Sequence, residues 1–501
     1  MDGRTGIFGD TESVLSVFTQ KYLQNGGLLM SVQVSSGELQ QDRGSALYVA
    51  LVTGVAAIGG FLFGYDQGVI SGAIGFLQTQ FQMSPGVTGF VSASIPLGAM
   101  IGVLVAGFLS DRAGRKPVLL LAGVLFVISS LGCAAANSVA MLVLSRLIGG
   151  LGIGVASMVS PMYISEISPA RIRGRLVGTN QLGVVLGILI VYIVNAVIAN
   201  VHTQTWDQLV GWRWMFGVGA IPGLLFFILL FWVPESPRFM VQQGQRNRAF
   251  AVLRRINGTN LAHTELDTIA SSLEAEKQQS GRLSELFQRG LRVALLVAVV
   301  LAVMQQFTGV SAVAYYAPII FRDSGAGANA SLIETVFIGA LKVIFTVVLM
   351  FLIDRVGRRS LLLMGSAAMA VFLIALGVSF AMPHISVGLV LACILLHTIA
   401  FELSWGGGVW IIISEIFPTR IRGRAMAIGS FALWGATYLV TQFFPVMMHH
   451  FGATVTFWVF ALMCILMYLF TLRFLPETKG KTLEEIQAHW RSYGERAQIS
   501  L

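Results

Sequence analysis

Apolar runs of about 20 residues recur along this chain, separated by short charged breaks, and few folds can absorb such a pattern. They fall at roughly 47–77, 87–109, 117–136, 139–164, 174–199 and 211–233, and again at 291–321, 332–353, 360–380, 387–413, 423–447 and 453–474. Each is long enough to cross the hydrocarbon core of a bilayer as a helix. Only 11% of the 501 residues are charged and 55% are apolar, so no sizeable soluble domain fits in what remains. The fold class is therefore an all-α membrane protein with about twelve transmembrane helices.

The spacing divides the chain. Residues 1–46 form a polar tail without the pattern of a signal peptide. Residues 47–233 hold six runs, 234–290 form a charged linker with helical patterning, 291–475 hold six more, and 476–501 form a second polar tail. An internal repeat supports this division. SEISPARIRGR at 165–175 returns as SEIFPTRIRGR at 414–424, DRAGRK at 111–116 as DRVGRR at 354–359, and PESPR at 234–238 as PETKG at 476–480. All three pairs recur in order at an offset of about 245 residues, so the halves are structural copies. Transporters built from such copies bind substrate near mid-membrane, between the halves.

The net charge of +9 comes largely from arginines in the short breaks and linker, as expected of cytoplasmic loops. That places both termini in the cytoplasm. No basic patch with interleaved aromatics is present, so nucleic acid is excluded as a partner. Cys133, Cys393 and Cys464 sit singly in apolar runs and suggest neither disulfide nor metal. No nucleophile–base set, metal-ligand spacing or phosphate loop appears, so the chain is not read as an enzyme, and no cofactor is implied.

One carboxylate stands out. Asp66, in GGFLFGYDQGVISGA, lies inside the first apolar run, where a charge costs on the order of 3 kcal/mol or more. Arg146, in SRLIGG of the fourth run, is its natural partner. Burial penalises the ionised carboxylate and a neighbouring cation favours it. Such a pair can alternate between Asp⁻ bound to Arg⁺ and a protonated Asp released from it; the alternative is a fixed structural ion pair.

These motifs, together with QQFTGVSAVAYYAP at 305–318, resemble the sugar porter family of the major facilitator superfamily over nearly the whole chain. The resemblance implies the major facilitator fold, with twelve helices in two pseudo-symmetric six-helix halves. It implies alternating-access import of a hexose or pentose. In the xylose–proton symporters of this family an Asp occupies the FGYD position, where animal facilitative carriers have Asn, so Asp66 and Arg146 point to proton coupling. A polyol–proton symporter, an uncoupled facilitator and a non-transporting sensor are the other readings; the short tail after PETKG argues against the sensor.

By family position the substrate residues are Phe63, Gln181, Gln305, Gln306, Ser311, Tyr315, Lys342, Trp410 and Trp434. Amides and hydroxyls would bond the sugar's hydroxyls and aromatic rings its apolar face. Xylose and hexose carriers have Asn at the positions of Ser311 and Lys342, so this site loses amides and gains a cation. A sugar acid could use that cation, whereas Glu402 could neutralise it internally. The loop motifs imply an intracellular gate of Asp111, Arg112, Arg115, Glu166, Arg175 and Glu235, mirrored by Asp354, Arg355, Arg358, Glu415, Arg424 and Glu477. The expected partners are the sugar or polyol, protons and the lipid bilayer, with the chain acting as a monomer.

Overall fold

The computed structural model describes residues 44–201, 203–278, 291–417, 419–479 and 485; the polar tail 1–43, the end of the linker and nearly all of the final tail lie outside the described residues. The first half contains α1 (Ala46–Phe81), α2 (Pro85–Ala113), α3 (Arg115–Ala134), α4 (Val139–Ile167), α5 (Arg173–Val201) and α6 (Asp207–Leu230), the last opening with a π-helical turn. Serines at the helix starts cap several of them. Ser84 accepts from the Val87 N–H, Ser138 from Met141 and Ser386 from Leu389, each supplying an acceptor to a first-turn donor that has none in the helix.

Among the described residues three linker helices follow: α7 (Pro237–Gln242), α8 (Arg246–Asn257) and α9 (Thr259–Gln278). The second half holds α10 (Leu291–Gln306), α11 (Val310–Asp323), α12 (Ala328–Val356), α13 (Arg358–Ala381), α14 (Val387–Glu402) and α15 (Trp405–Ile416). The final run, Thr419–Phe474, is broken at Gly452, whose φ of 74° no α-helix contains. It makes two helices, α16 (419–451) and α17 (453–474). Among the described residues eleven runs are long and apolar enough to cross a membrane, and the break at Gly452 divides one of them, giving the twelve crossings of the major facilitator fold.

Two crossings are themselves broken. α10 and α11 together form one, interrupted at Phe307–Gly309, where Gly309 adopts φ 81°. α14 and α15 form another, interrupted at Leu403–Ser404. These breaks leave backbone groups outside regular helix at membrane depth, which is tolerated only where protein or a cavity can satisfy them.

Close packing between helices rests on glycine. On α2, a Cβ at Gly98 would lie 2.4 Å from the Leu147 carbonyl oxygen, and one at Gly102 would lie 2.5 Å from that of Leu151. On α4, Gly150 and Gly154 face the carbonyl oxygens of Ile95 and Ala99 at 2.4 and 2.3 Å in the same sense. Reciprocal glycines let the two backbones touch, which is how helices bind tightly where no hydrophobic effect operates between them.

The halves touch at several points, some of them at the end of the bundle away from the linker. A Cβ on Gly75 of α1 would strike the Arg322 guanidinium of α11, Tyr192 of α5 donates to the Ala314 carbonyl at 2.9 Å, and Gln442 of α16 donates to the Gly86 carbonyl at 3.0 Å. All three contacts lie towards the end of the bundle opposite the linker.

Candidate functional site

The two helix breaks build one wall of the site. Gln305 and Gln306 are the last residues of α10, so their side chains leave the helix where its ladder stops. The Gln305 amide nitrogen donates to the carbonyls of Trp405 (2.6 Å) and Gly406 (3.3 Å) in the first turn of α15. That contact ties one break to the other. It leaves the Gln305 Oε1, sealed from solvent, with no partner. Gln306 accepts from the Ser311 hydroxyl at 2.6 Å. The hydroxyl of the fully buried Tyr315 on α11 is unpartnered too. An unpaired buried polar atom costs about 1–3 kcal/mol, so each of the two is a candidate to bond a ligand's hydroxyl.

Lys342 of α12 meets Glu402, the last residue of α14, at 2.6 Å; both side chains are buried, and Thr346 donates to the other carboxylate oxygen at 3.2 Å. Trp434 of α16 lies against Phe63 of α1, ring centroids 5.1 Å apart, so the aromatic pair joins the two halves. Gln181 on α5 and Trp410 on α15 are half-buried. Two side chains that sequence reasoning did not select also belong here. His397, fully buried on α14, sits 3.0 Å from the Thr308 carbonyl at the α10–α11 break. Asn180, beside Gln181, has a buried oxygen without a partner. An ionisable residue inside an apolar run was the available signal for His397.

Asp66 and Arg146 do not form an ion pair: among the described residues no salt bridge joins them. Arg146 is completely buried and donates through Nε to the Val91 carbonyl (2.8 Å) and through Nη2 to the Ser92 carbonyl (3.5 Å). Pro96 accounts for the second of these contacts: it has no N–H, so the carbonyl four residues earlier, that of Ser92, lacks its helical donor and is free to receive the guanidinium. Asp66 is half-buried, its Oδ2 sealed and unpaired, lying where a Cβ on Gly149 would come within 3.2 Å. The Nη1 of Arg146 is likewise unpaired. The carboxylate and the cation are neighbours, each with one unsatisfied atom.

At the linker end the repeated motifs form repeated structures. Arg115 forks onto Glu166, Nε to Oε2 at 3.0 Å and Nη2 to Oε1 at 2.9 Å, while its Nη1 donates to the Ser110 carbonyl. Glu235 accepts the backbone N–H groups of Arg115 (3.0 Å), Lys116 (3.1 Å) and Ser236 (2.7 Å), closing the start of α3. Burial pushes its carboxyl above the ordinary range, and these N–H groups hold it down. In the second half Arg358 reaches Glu415 at 3.3 Å and the Ile353 carbonyl at 3.3 Å, and Glu477 accepts from the N–H groups of Arg358 and Arg359 at 3.1 and 3.2 Å. Each arginine–glutamate pair lies within its own half. Asp111 is 70% exposed and 3.9 Å from Arg115, a weak contact in water. Arg112 lies over the Phe108 ring, and Arg175, Arg355 and Arg424 are exposed. The side chain of Asp354 is outside the described residues.

Comparison with known proteins now bears on this arrangement. The family model described as sugar (and other) transporter matches residues 52–490. The chain belongs to the sugar transporter family. Its members are transporters, not enzymes. The arabinose-proton symporter of Bacillus subtilis is 45% identical over 443 residues, covering 88% of this chain and 95% of that protein. The D-xylose-proton symporter of Escherichia coli K12 is 39% identical over 483 residues, covering 90% and 97%. Among solved structures, the xylose transporter XylE of E. coli in a partially occluded inward open conformation superposes with a TM-score of 0.79 at 37% identity, covering 87% of this transporter and all of XylE. The proton:xylose symporter XylE bound to 6-bromo-6-deoxy-D-glucose gives 0.76 at 38% identity. The major facilitator fold and the multi-pass membrane character follow.

Proposed function

We propose that this transporter is a proton-coupled monosaccharide symporter, taking a pentose or hexose by alternating access. The observation that carries this reading is the split Asp66–Arg146 site. A carboxylate oxygen and a guanidinium nitrogen, both sealed from solvent and both unpaired, are neighbours in the half that faces the sugar residues. A protonated Asp66 needs no cation beside it, whereas an ionised one does. The site therefore has a paired and a released form, which is what coupling to a proton requires. The relatives named for arabinose–proton and xylose–proton symport support the same reading.

Sugar is held from both halves. Gln305 Oε1 and the Tyr315 hydroxyl are free to bond hydroxyls, with Gln306, Ser311 and Gln181 as further polar contacts. Phe63, Trp410 and Trp434 offer flat apolar faces. The linker end, with its arginine-rich loops, is cytoplasmic, and both termini share that side of the cell membrane. The charged motifs at that end, Arg115 with Glu166 and Arg358 with Glu415 among them, act as the intracellular gate.

The driving force suffices. One charge moving through 100 mV is worth roughly 2.3 kcal/mol, and a tenfold proton gradient adds about 1.4 kcal/mol. Together these support accumulation of several-hundred-fold at one proton per sugar, to order of magnitude.

The test is radiolabelled uptake in a transport-deficient bacterial strain offered arabinose, xylose, glucose and myo-inositol, with and without a protonophore. Accumulation above equilibrium that collapses with protonophore, and that Asp66→Asn abolishes while leaving sugar exchange intact, is the expected result. Uptake that only equilibrates and ignores both treatments would make the protein a facilitator.

A further inference from the structure

The mechanism above leaves the Lys342–Glu402 pair without a task. It is a full ion pair at 2.6 Å, with 6% and 4% of the two side chains exposed, in the middle of the second half. Stability does not explain it. A buried pair of this kind does about as well as hydrophobic residues of the same volume, because desolvating both ions offsets their attraction. α12 and α14 would pack equally well through leucine or methionine.

Its position is informative. Glu402 ends α14, and its Oε2 lies against Gly406, where an added Cβ would come within 2.8 Å. The Gly406 carbonyl is one of the two that orient Gln305. The pair therefore adjoins the turn of α15 that holds Gln305, one of the candidate sugar residues. Both carboxylate oxygens are engaged, one by Lys342 and one by Thr346. The ammonium is engaged less fully. It has three N–H donors, and Glu402 is its one recorded acceptor among the described residues, with the Phe401 ring 5.6 Å away.

We propose that Glu402 serves as a built-in carboxylate ligand for Lys342, cancelling its charge so that the site accepts neutral sugars through the remaining ammonium donors and rejects sugar acids. This inference rests on the reading of the protein as a sugar symporter. A neutral hydroxyl can accept from Lys342 without disturbing the balance of charge. A uronate would bring a second carboxylate to an ammonium already neutralised, leaving one buried negative charge without a counter-ion, which is the costly case. Specificity then comes from a repulsive element inside the protein as much as from contacts with the sugar.

The experiment uses purified full-length protein in liposomes, with labelled D-xylose or L-arabinose as neutral substrate and labelled D-glucuronate as the acid. The wild type is expected to take up a neutral sugar, and a hundredfold excess of glucuronate should leave that uptake unchanged. Glu402→Gln frees the ammonium, and the ratio of glucuronate to neutral-sugar uptake is expected to rise at least tenfold. The uncharged double variant Lys342→Gln/Glu402→Gln should return the ratio to that of the wild type. Glu402→Gln that still transports neutral sugar with the wild-type ratio overturns the proposal. If Glu402→Gln does not fold, the wild-type competition decides alone: glucuronate inhibiting as well as unlabelled glucose overturns the proposal, and no inhibition by glucuronate supports it. A wild type that transports none of the neutral sugars overturns the symporter reading, and this inference with it.

Discussion

Replacing Glu235 with alanine removes the acceptor for three backbone donors at once. The N–H groups of Arg115, Lys116 and Ser236 all end on its two oxygens, at 3.0, 3.1 and 2.7 Å. Two of these are first-turn donors of α3, which have no partner within their own helix. Arg115 is buried, so water cannot simply replace the carboxylate there. Leaving a buried donor unsatisfied costs about 1–3 kcal/mol, and part of the loss is recovered where water can enter, which puts Glu235→Ala at about 2–4 kcal/mol. Glu235→Gln keeps one carbonyl oxygen in the place of Oε1, which serves two of the three donors. Its cost should be about half, roughly 1–2 kcal/mol. Thermal unfolding of detergent-purified protein, followed by fluorescence at one scan rate, reads the order: wild type most stable, then Glu235→Gln, then Glu235→Ala. The reasoning fails if glutamine and alanine are equally damaging. That result would mean that Glu235 acts through its charge on Arg115 and Lys116 rather than as an acceptor for the chain.

Other consequences are as direct. Gly150→Ala places a methyl 2.4 Å from the Ile95 carbonyl oxygen, so α2 and α4 must part; a loss of about 1–3 kcal/mol is expected. Gly54→Ala, on an exposed helix surface with no atom within 4 Å, should instead be neutral or stabilising by up to about 1 kcal/mol in the same unfolding assay. Gln305→Ala deletes an amide that offers its oxygen to the sugar, and the half-saturation constant for uptake should rise about tenfold with expression unchanged. Arg115→Lys cannot reproduce the two-pronged contact with Glu166, so transport should slow while sugar binding, read by tryptophan fluorescence, stays near wild type.

The sequence by itself determined the helices. A run of some 20 apolar residues has one stable form in a bilayer, because hydrocarbon satisfies no backbone group, and so the twelve runs read from hydropathy coincide closely with the observed helices. The repeated motifs likewise foretold repeated structures: Arg115 with Glu166 and Arg358 with Glu415, each start of helix closed by Glu235 or Glu477. Their recurrence in both halves follows from the duplicated pattern, which is visible in one dimension. The sequence also offered the union of Lys342 with Glu402, as one option beside an acidic substrate, and in the folded chain the two meet at 2.6 Å.

What tertiary structure alone decided is which polar atoms remain unpaired. Asp66 and Arg146 look like partners when only their apolar surroundings are known. The folded chain sends the guanidinium to the carbonyls of Val91 and Ser92 on α2, the second of them freed because Pro96 has removed the donor that Ser92 would otherwise bond. Gln305 looks like a sugar ligand by position, yet only the meeting of two helix breaks shows that its nitrogen is bound by α15 while its oxygen is not. Hydrogen bonds between segments a hundred residues apart depend on where helices cross and where they break. No local pattern of residues carries that information, and the chemistry of the site resides in it.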